Sequence, residues 1–147
     1  VRAYNGGSYD VLHSGHLYVF RQMRALAGPD GEVVIGLNTD EFVERFKGHP
    51  TVQKLEERIE IVSSIRYVDR VVVNTGGEDS KPVVEAVMPD VIAVGADWSG
   101  DGWERYCAQM QFSLEWLAER EIRLHTLRFL PGRSSTNLRS LAAEIAA

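Results

Sequence analysis

Cysteine is nearly absent from this chain of 147 residues: Cys107 stands alone, which excludes an internal disulfide and the small secreted scaffolds that depend on one. No histidine lies near Cys107 in sequence, so the thiol reads as a core or surface group rather than a nucleophile. Long apolar runs are missing too. No stretch approaches the roughly 18 residues that span a bilayer, and no signal-peptide pattern opens the sequence, so a cytoplasmic protein with no membrane partner is expected. Basic residues are in deficit, 16 Lys and Arg against 21 Asp and Glu, for a net charge of −5. That balance argues against an extended nucleic-acid surface and leaves room for a local cationic pocket. Repeats, low-complexity tracts and linkers are also absent, so residues 1–147 read as one domain with a full core. Strand-like sequence begins at once after Val1, where a Met is missing; the expectation is either a trimmed start or a domain of a longer, bifunctional protein.

What is present alternates. Val1–Tyr4 reads as a strand, and Leu17, Phe20, Met23 and Ala27 mark one apolar helical face that Gly28-Pro29-Asp30-Gly31 ends. Val33–Leu37 reads as a buried strand, followed by a short helix capped by Thr39 or Asp40. Lys47–Thr51 reads as a loop, and Leu55, Ile59, Val62 and Ile65 as an amphipathic helix. Val71–Val73 is a strand, Pro82–Met88 a helix with an early proline, and Val91–Val94 a strand. Tyr106, Met110, Leu114 and Leu117 outline one long helix, Ile122–Leu130 the last strand, and Leu138, Leu141 and Ile145 a closing helix. Five strands separated by helices imply right-handed crossovers and an α/β fold, a mostly parallel five-stranded sheet covered on both faces. Ligands then belong at the carboxyl ends of the strands, near the switch in strand order.

The run Gly7-Ser8-Tyr9-Asp10-Val11-Leu12-His13-Ser14-Gly15-His16 follows the first strand directly. Gly15 lets backbone approach a ligand, and a helix starting here offers N–H groups and a partial positive charge to phosphate. The imidazoles of His13 and His16 can donate hydrogen bonds to phosphate oxygens as charge builds in a transition state.

These residues resemble the nucleotidylyltransferase superfamily that carries the H-x-G-H signature, and within it the glycerol-3-phosphate cytidylyltransferases. The resemblance extends through Asn38-Thr39-Asp40-Glu41-Phe42, Glu57-Arg58 with Ile65-Arg66-Tyr67-Val68-Asp69, Gly95-Ala96-Asp97-Trp98 and Ser134-Ser135-Thr136-Asn137. It implies a Rossmann-like α/β fold and a cytidylyltransferase that moves CMP from CTP to a small phosphate or phosphonate, releasing pyrophosphate. His13, His16 and Lys47 would be catalytic. Gly7, Ser8, Tyr9, Asp10, Gly15, Arg66, Gly95, Asp97, Ser134, Ser135 and Thr136 would bind the nucleotide, with Arg66 shaping the base pocket. Lys47, Trp98 and Arg133 would meet the acceptor. Mg²⁺ is implied by CTP, held through phosphates and waters rather than by a protein cage. A homodimer or a multidomain assembly is expected, and no nucleic acid.

Two departures bear on the acceptor. Leu130-Pro131-Gly132-Arg133 runs straight into Ser134 where relatives carry an Arg-Thr-Glu-Gly-type stretch, and the loop after Phe46 holds Lys47 alone where relatives often have two lysines. Glycerol 3-phosphate and 2-hydroxyethylphosphonate both remain open as acceptors. The rival readings are an ATP-dependent adenylyltransferase of the same superfamily and a non-catalytic nucleotide-sensing domain.

Overall fold

The computed structural model describes residues 1–131 and 134–146, apart from the side chain of Ser135. Five strands, β1 (Arg2–Gly7), β2 (Glu32–Asn38), β3 (Arg70–Asn74), β4 (Val91–Gly95) and β5 (Arg123–Leu127), form one sheet in the order β3-β2-β1-β4-β5. Every neighbouring pair is parallel. The order reverses between β1 and β4, so the connections leave these strands in opposite directions and open a crevice at their carboxyl ends.

Helices α1 (Ser14–Ala27) and α3 (Leu55–Ser63) cover one face, while α4 (Lys81–Val87), α5 (Glu104–Met110) and α6 (Leu114–Glu119) cover the other. On the first face Phe20, Met23 and Val62 pack on Ala3, Val33, Ile35 and Leu37; on the second Val83, Val84, Tyr106 and Leu117 pack on Tyr4, Val34, Ile92 and Val94. Burial on both faces explains why β2 and β4 read as continuous apolar runs rather than alternating ones. Helix α2 (Asp40–Lys47) lies at the carboxyl end of β2, and α7 (Ser135–Ala146) closes the described chain. Among the described residues no helix is long and apolar enough to cross a membrane.

Two expected elements differ. The single long helix over Tyr106–Leu117 is two helices. Gln111 adopts a left-handed conformation at φ 62°, and extended Ser113 starts α6 by accepting the Trp116 N–H at 3.0 Å. Met110 and Leu114 stand four residues apart on either side of the break, so the apolar spacing runs on and hides it from periodicity. The last strand stops at Leu127 rather than Leu130 because the Gln22 amide of α1 takes both backbone groups of Arg128, donating to its carbonyl and accepting its N–H at 2.9 Å each.

Cys107 is buried on the second face, and burial pushes its thiol pKa up, away from nucleophilic character.

Candidate active site

The site begins where β1 runs out. Gly6, Gly7 and Ser8 form a saddle over the carboxyl edge of the sheet, and Tyr9 and Val11 beyond it hold left-handed conformations at φ 50° and 56°. That conformation is costly for a β-branched residue and persists only where neighbours enforce it. Asp10 and Arg58 are two of those neighbours. The Asp10 carboxylate, 6% exposed, accepts the N–H groups of Val52 at 2.8 Å and Gln53 at 2.9 Å and an ion pair from Arg139 of α7 at 3.0 Å. Arg58 of α3 is fully buried and donates to the carbonyls of Ser8 (2.8 Å), Asn38 (2.9 Å) and Gln53 (3.1 Å) and to Asp40 (2.7 Å). One guanidinium therefore ties together the saddle, the end of β2, the start of α2 and the loop before α3. Burial raises the Asp40 pKa, but bonds from Arg58, the Leu55 N–H and Thr51 outweigh it and hold the carboxyl below its usual range.

The two histidines cap helix α1 reciprocally. His13 Nδ1 accepts the Gly15 N–H at 3.0 Å, and His16 Nδ1 accepts the His13 N–H at 3.2 Å. Their rings stack with centroids 3.9 Å apart. With Nδ1 accepting, a neutral imidazole carries its proton on Nε2, so both rings present Nε2–H as a donor. The sequence suggested that free N–H groups of this helix would meet phosphate. Instead, the imidazoles occupy the N–H groups of His13 and Gly15 and carry the donor function outward on Nε2. Burial first, then the neighbouring His13 and Lys47, push the His16 pKa down to about 4, so its ring is neutral at pH 7.

Lys47 ends α2, where Gly48 caps the helix in a left-handed conformation at φ 77°. Its side chain borders three cavities, two of which are also lined by the saddle residues Gly6, Gly7 and Ser8. The largest, about 520 Å³, lies on the α1 side between His13, His16, Phe129 and Thr136. A second, about 210 Å³, sits on the saddle itself among Gly7, Ser8, Asp10, His16 and Arg139. The third, about 250 Å³, opens on the α4 and α5 side and is walled by Tyr4, Phe42, Phe46, Trp98, Tyr106 and Phe112.

The structure brings most of the expected residues to these cavities. His13, Gly15, His16, Ser134 and Thr136 border the α1-side cavity. Gly7, Ser8, Tyr9 and Asp10 border the saddle. Ser134 also caps α7 by accepting the Asn137 N–H at 3.0 Å. Gly95 and Trp98 face the aromatic cavity. Arg133 and the side chain of Ser135 lie outside the described residues.

Arg66 and Asp97, expected at the nucleotide, border none of the three cavities. Arg66 lies before β3, at the amino edge of a parallel sheet, exposed and donating to the Tyr67 hydroxyl at 2.9 Å. Asp97 is exposed in the turn after β4, and its carbonyl accepts from Arg105. Sequence reading missed Arg139, which borders both the saddle and the histidine cavity, although it stands one helical turn after Ser135 on the same face. Tyr4, Phe42, Phe46 and Tyr106 were also missed, since each reads from sequence as an ordinary core residue.

A cytidylyltransferase-like family profile matches residues 4–141. An FAD synthase of Pyrococcus horikoshii is 36% identical over 101 residues, 69% of this chain and 66% of that protein, so the chain spans just under two thirds of that relative's length. A glycerol-3-phosphate cytidylyltransferase of Staphylococcus aureus is 35% identical over 95 residues, 65% of this chain and 69% of that protein. The crystal structure of a lipopolysaccharide core biosynthesis protein from Thermoplasma volcanium shares the fold, with a TM-score of 0.65 at 24% identity over 88% of this chain and 96% of that one.

Proposed function

Because the chain belongs to the cytidylyltransferase-like family, we propose that it is a nucleotidyltransferase that moves CMP from CTP to a compact phosphate or phosphonate and releases pyrophosphate. The observation that carries this reading is the placement of Lys47, whose one cation borders the histidine cavity, the saddle and the aromatic cavity together. A flexible ammonium at that junction can follow charge as it passes between two substrates bound on opposite faces of the sheet.

In this reading the triphosphate lies in the α1-side cavity. His13 and His16 donate from Nε2 to its oxygens, and Ser134 and Thr136 at the start of α7 receive the outer phosphates. Arg139 adds a guanidinium from the same helix. The acceptor enters from the aromatic side with its phosphoryl or phosphonyl group on the saddle. One of its ionised oxygens forms a bond to the α-phosphorus while the bond from that phosphorus to the bridging oxygen of pyrophosphate breaks. The acceptor oxygen is already deprotonated at neutral pH, so no protein base is needed. His13, His16 and Lys47 stabilise the charge that develops on the α-phosphate and on the departing pyrophosphate.

Mg²⁺ fits as a passenger of the nucleotide. The carboxylate on the saddle, Asp10, is committed to two backbone N–H groups and Arg139, and among the described residues no three His, Cys, Asp or Glu side chains group as a metal cage. When bound through the phosphates, the ion neutralises their charge.

The FAD synthase relatives favour a second reading, adenylyl transfer to a flavin phosphate. The aromatic cavity weighs against it: about 250 Å³ falls below the roughly 300–1,000 Å³ typical of pockets for drug-sized ligands. Pyrophosphate release measured with CTP or ATP against glycerol 3-phosphate, 2-hydroxyethylphosphonate, a hexose phosphate and flavin mononucleotide tests both readings. Turnover with CTP and a compact acceptor is expected; a clear preference for ATP with the flavin, or for the hexose phosphate, overturns the proposal.

A further inference from the structure

The aromatic cavity holds two phenols that the mechanism above does not use. Tyr4 is 5% exposed and Tyr106 is 8% exposed, yet among the described residues neither hydroxyl has a hydrogen-bond partner. Both rings line this one cavity, so their two hydroxyls, open to it, are donors available to whatever fills it. Tyr4 is placed with care. Its ring runs from β1 toward the carboxyl edge of the sheet, across Gly6 and Gly36, which lie opposite each other in the β1–β2 register. A Cβ on Gly36 would stand 2.1 Å from the Tyr4 hydroxyl, so only glycine there lets the phenol reach the cavity. Burial raises the pKa of both phenols well above the ordinary range, with Tyr4 beside it adding to the effect on Tyr106, so both remain protonated donors at any working pH.

The charges around them set the polarity of the occupant. Lys47 is the cation at the saddle end, and Glu78 on the rim is already engaged by Arg45 of α2 at 3.1 Å. The cavity therefore offers a cation to the phosphoryl end of an acceptor and no uncommitted carboxylate to an ammonium at the other end. Resting on the reading of this cavity as the acceptor site, we propose that Tyr4 and Tyr106 are its specificity-determining residues, donating to a hydroxyl on the acceptor tail, and that the acceptor class is the hydroxyalkyl phosphates and phosphonates. Hydrophobic walls discriminate weakly between ligands that differ by a hydroxyl, whereas buried donors left unpaired by the wrong ligand discriminate strongly.

The test is acceptor binding by calorimetry, separate from turnover, using pairs that differ only in the tail hydroxyls: glycerol 3-phosphate against propyl phosphate, and 2-hydroxyethylphosphonate against ethylphosphonate. A hydrogen bond contributes about 2- to 12-fold in affinity, so two predict a preference on the order of 10-fold or more for a hydroxylated acceptor. Tyr4→Phe and Tyr106→Phe should each shrink that ratio, and the double variant should bring the pair to near equality by weakening the hydroxylated ligand alone. The two pairs distinguish a phosphate from a phosphonate source. Equal binding within each pair by the wild-type protein, or no binding of either member, overturns the proposal, as does a ratio unchanged in the double variant. Tighter binding of phosphocholine than of glycerol 3-phosphate also overturns it, since ring faces rather than phenols would then set selectivity. Hydroxyl-selective binding without pyrophosphate release leaves this inference standing and refutes the transfer reaction instead.

Discussion

Replacing Arg58 with alanine is expected to cost far more than its place on a charged helix suggests. The guanidinium is fully buried and makes bonds to three carbonyls and one carboxylate, reaching four separate segments around the saddle. Removing one partner of a buried ion pair costs about 3–5 kcal/mol. Two features of the site pull in opposite directions. Asp40 is 27% exposed and keeps its bonds from Thr51 and Leu55, which limits the penalty for its stranded charge. The carbonyls of Ser8, Asn38 and Gln53 each lose a donor, which adds to it. The net expectation stays at about 3–5 kcal/mol, and at about 2–4 °C per kcal/mol for a chain of this size the Tm should fall by roughly 6–20 °C. Urea and thermal unfolding of the wild-type, Arg58→Ala and Arg58→Lys proteins measure it. Lysine keeps the charge but offers a single nitrogen that cannot span all four acceptors, so it should recover less than half of the loss. A loss below 1 kcal/mol for Arg58→Ala, or full recovery by lysine, would refute the claim that the guanidinium fork organises the loops.

His16→Ala should lower kcat by about 10²–10³, the usual effect of removing one donor to a developing charge, while the lost cap costs about 0.5–2 kcal/mol of stability. Steady-state kinetics with urea unfolding separates the two, and turnover within a few-fold of wild type would count against the assigned role. Because the His16 pKa falls from 6.5 in the unfolded chain to about 4 in the folded one, the unfolded state binds more protons between those values. Stability should therefore decline as pH drops from 6.5 toward 4, and His16→Asn should flatten part of that slope in unfolding titrations. Gly36→Ala should destabilise by about 1–3 kcal/mol through overpacking against the buried Tyr4 ring. Gly95→Ala meets Phe129 at 2.7 Å, yet that ring is 53% exposed and free to swing aside, so thermal denaturation should show a smaller loss there.

The strands and α1 were legible because burial on two faces and a helical apolar stripe leave direct marks in local sequence. The histidine motif was legible for the same local reason, since His13, Gly15 and His16 lie within one turn. Arg58 was not, because an arginine among Glu56, Glu57 and Glu60 reads as a solvated partner of its neighbours. Its burial depends on three loop carbonyls converging from distant parts of the chain, which no local pattern records. Arg66 was expected at the base by motif alone, and its position before β3 rather than after it sets it away from the carboxyl edge where the three cavities open. The α5–α6 break stayed hidden because Met110 and Leu114, four residues apart across it, keep the spacing that a continuous helix would show.

The saddle of Gly6, Gly7 and Ser8 separates two cavities that open on opposite faces of the sheet. Under the proposed chemistry this gives the reaction two doors. Neither substrate has to pass through the chamber of the other, so the geometry imposes no obligatory order of arrival, and initial-rate patterns should be those of random addition. Departure is different. The new phosphoanhydride straddles the saddle with its nucleoside on one side and its acceptor tail on the other, whereas pyrophosphate is confined to the α1 side. The smaller product is then free to go first, and the larger must lift clear of the ridge, which makes the saddle itself the natural place for a slow final step.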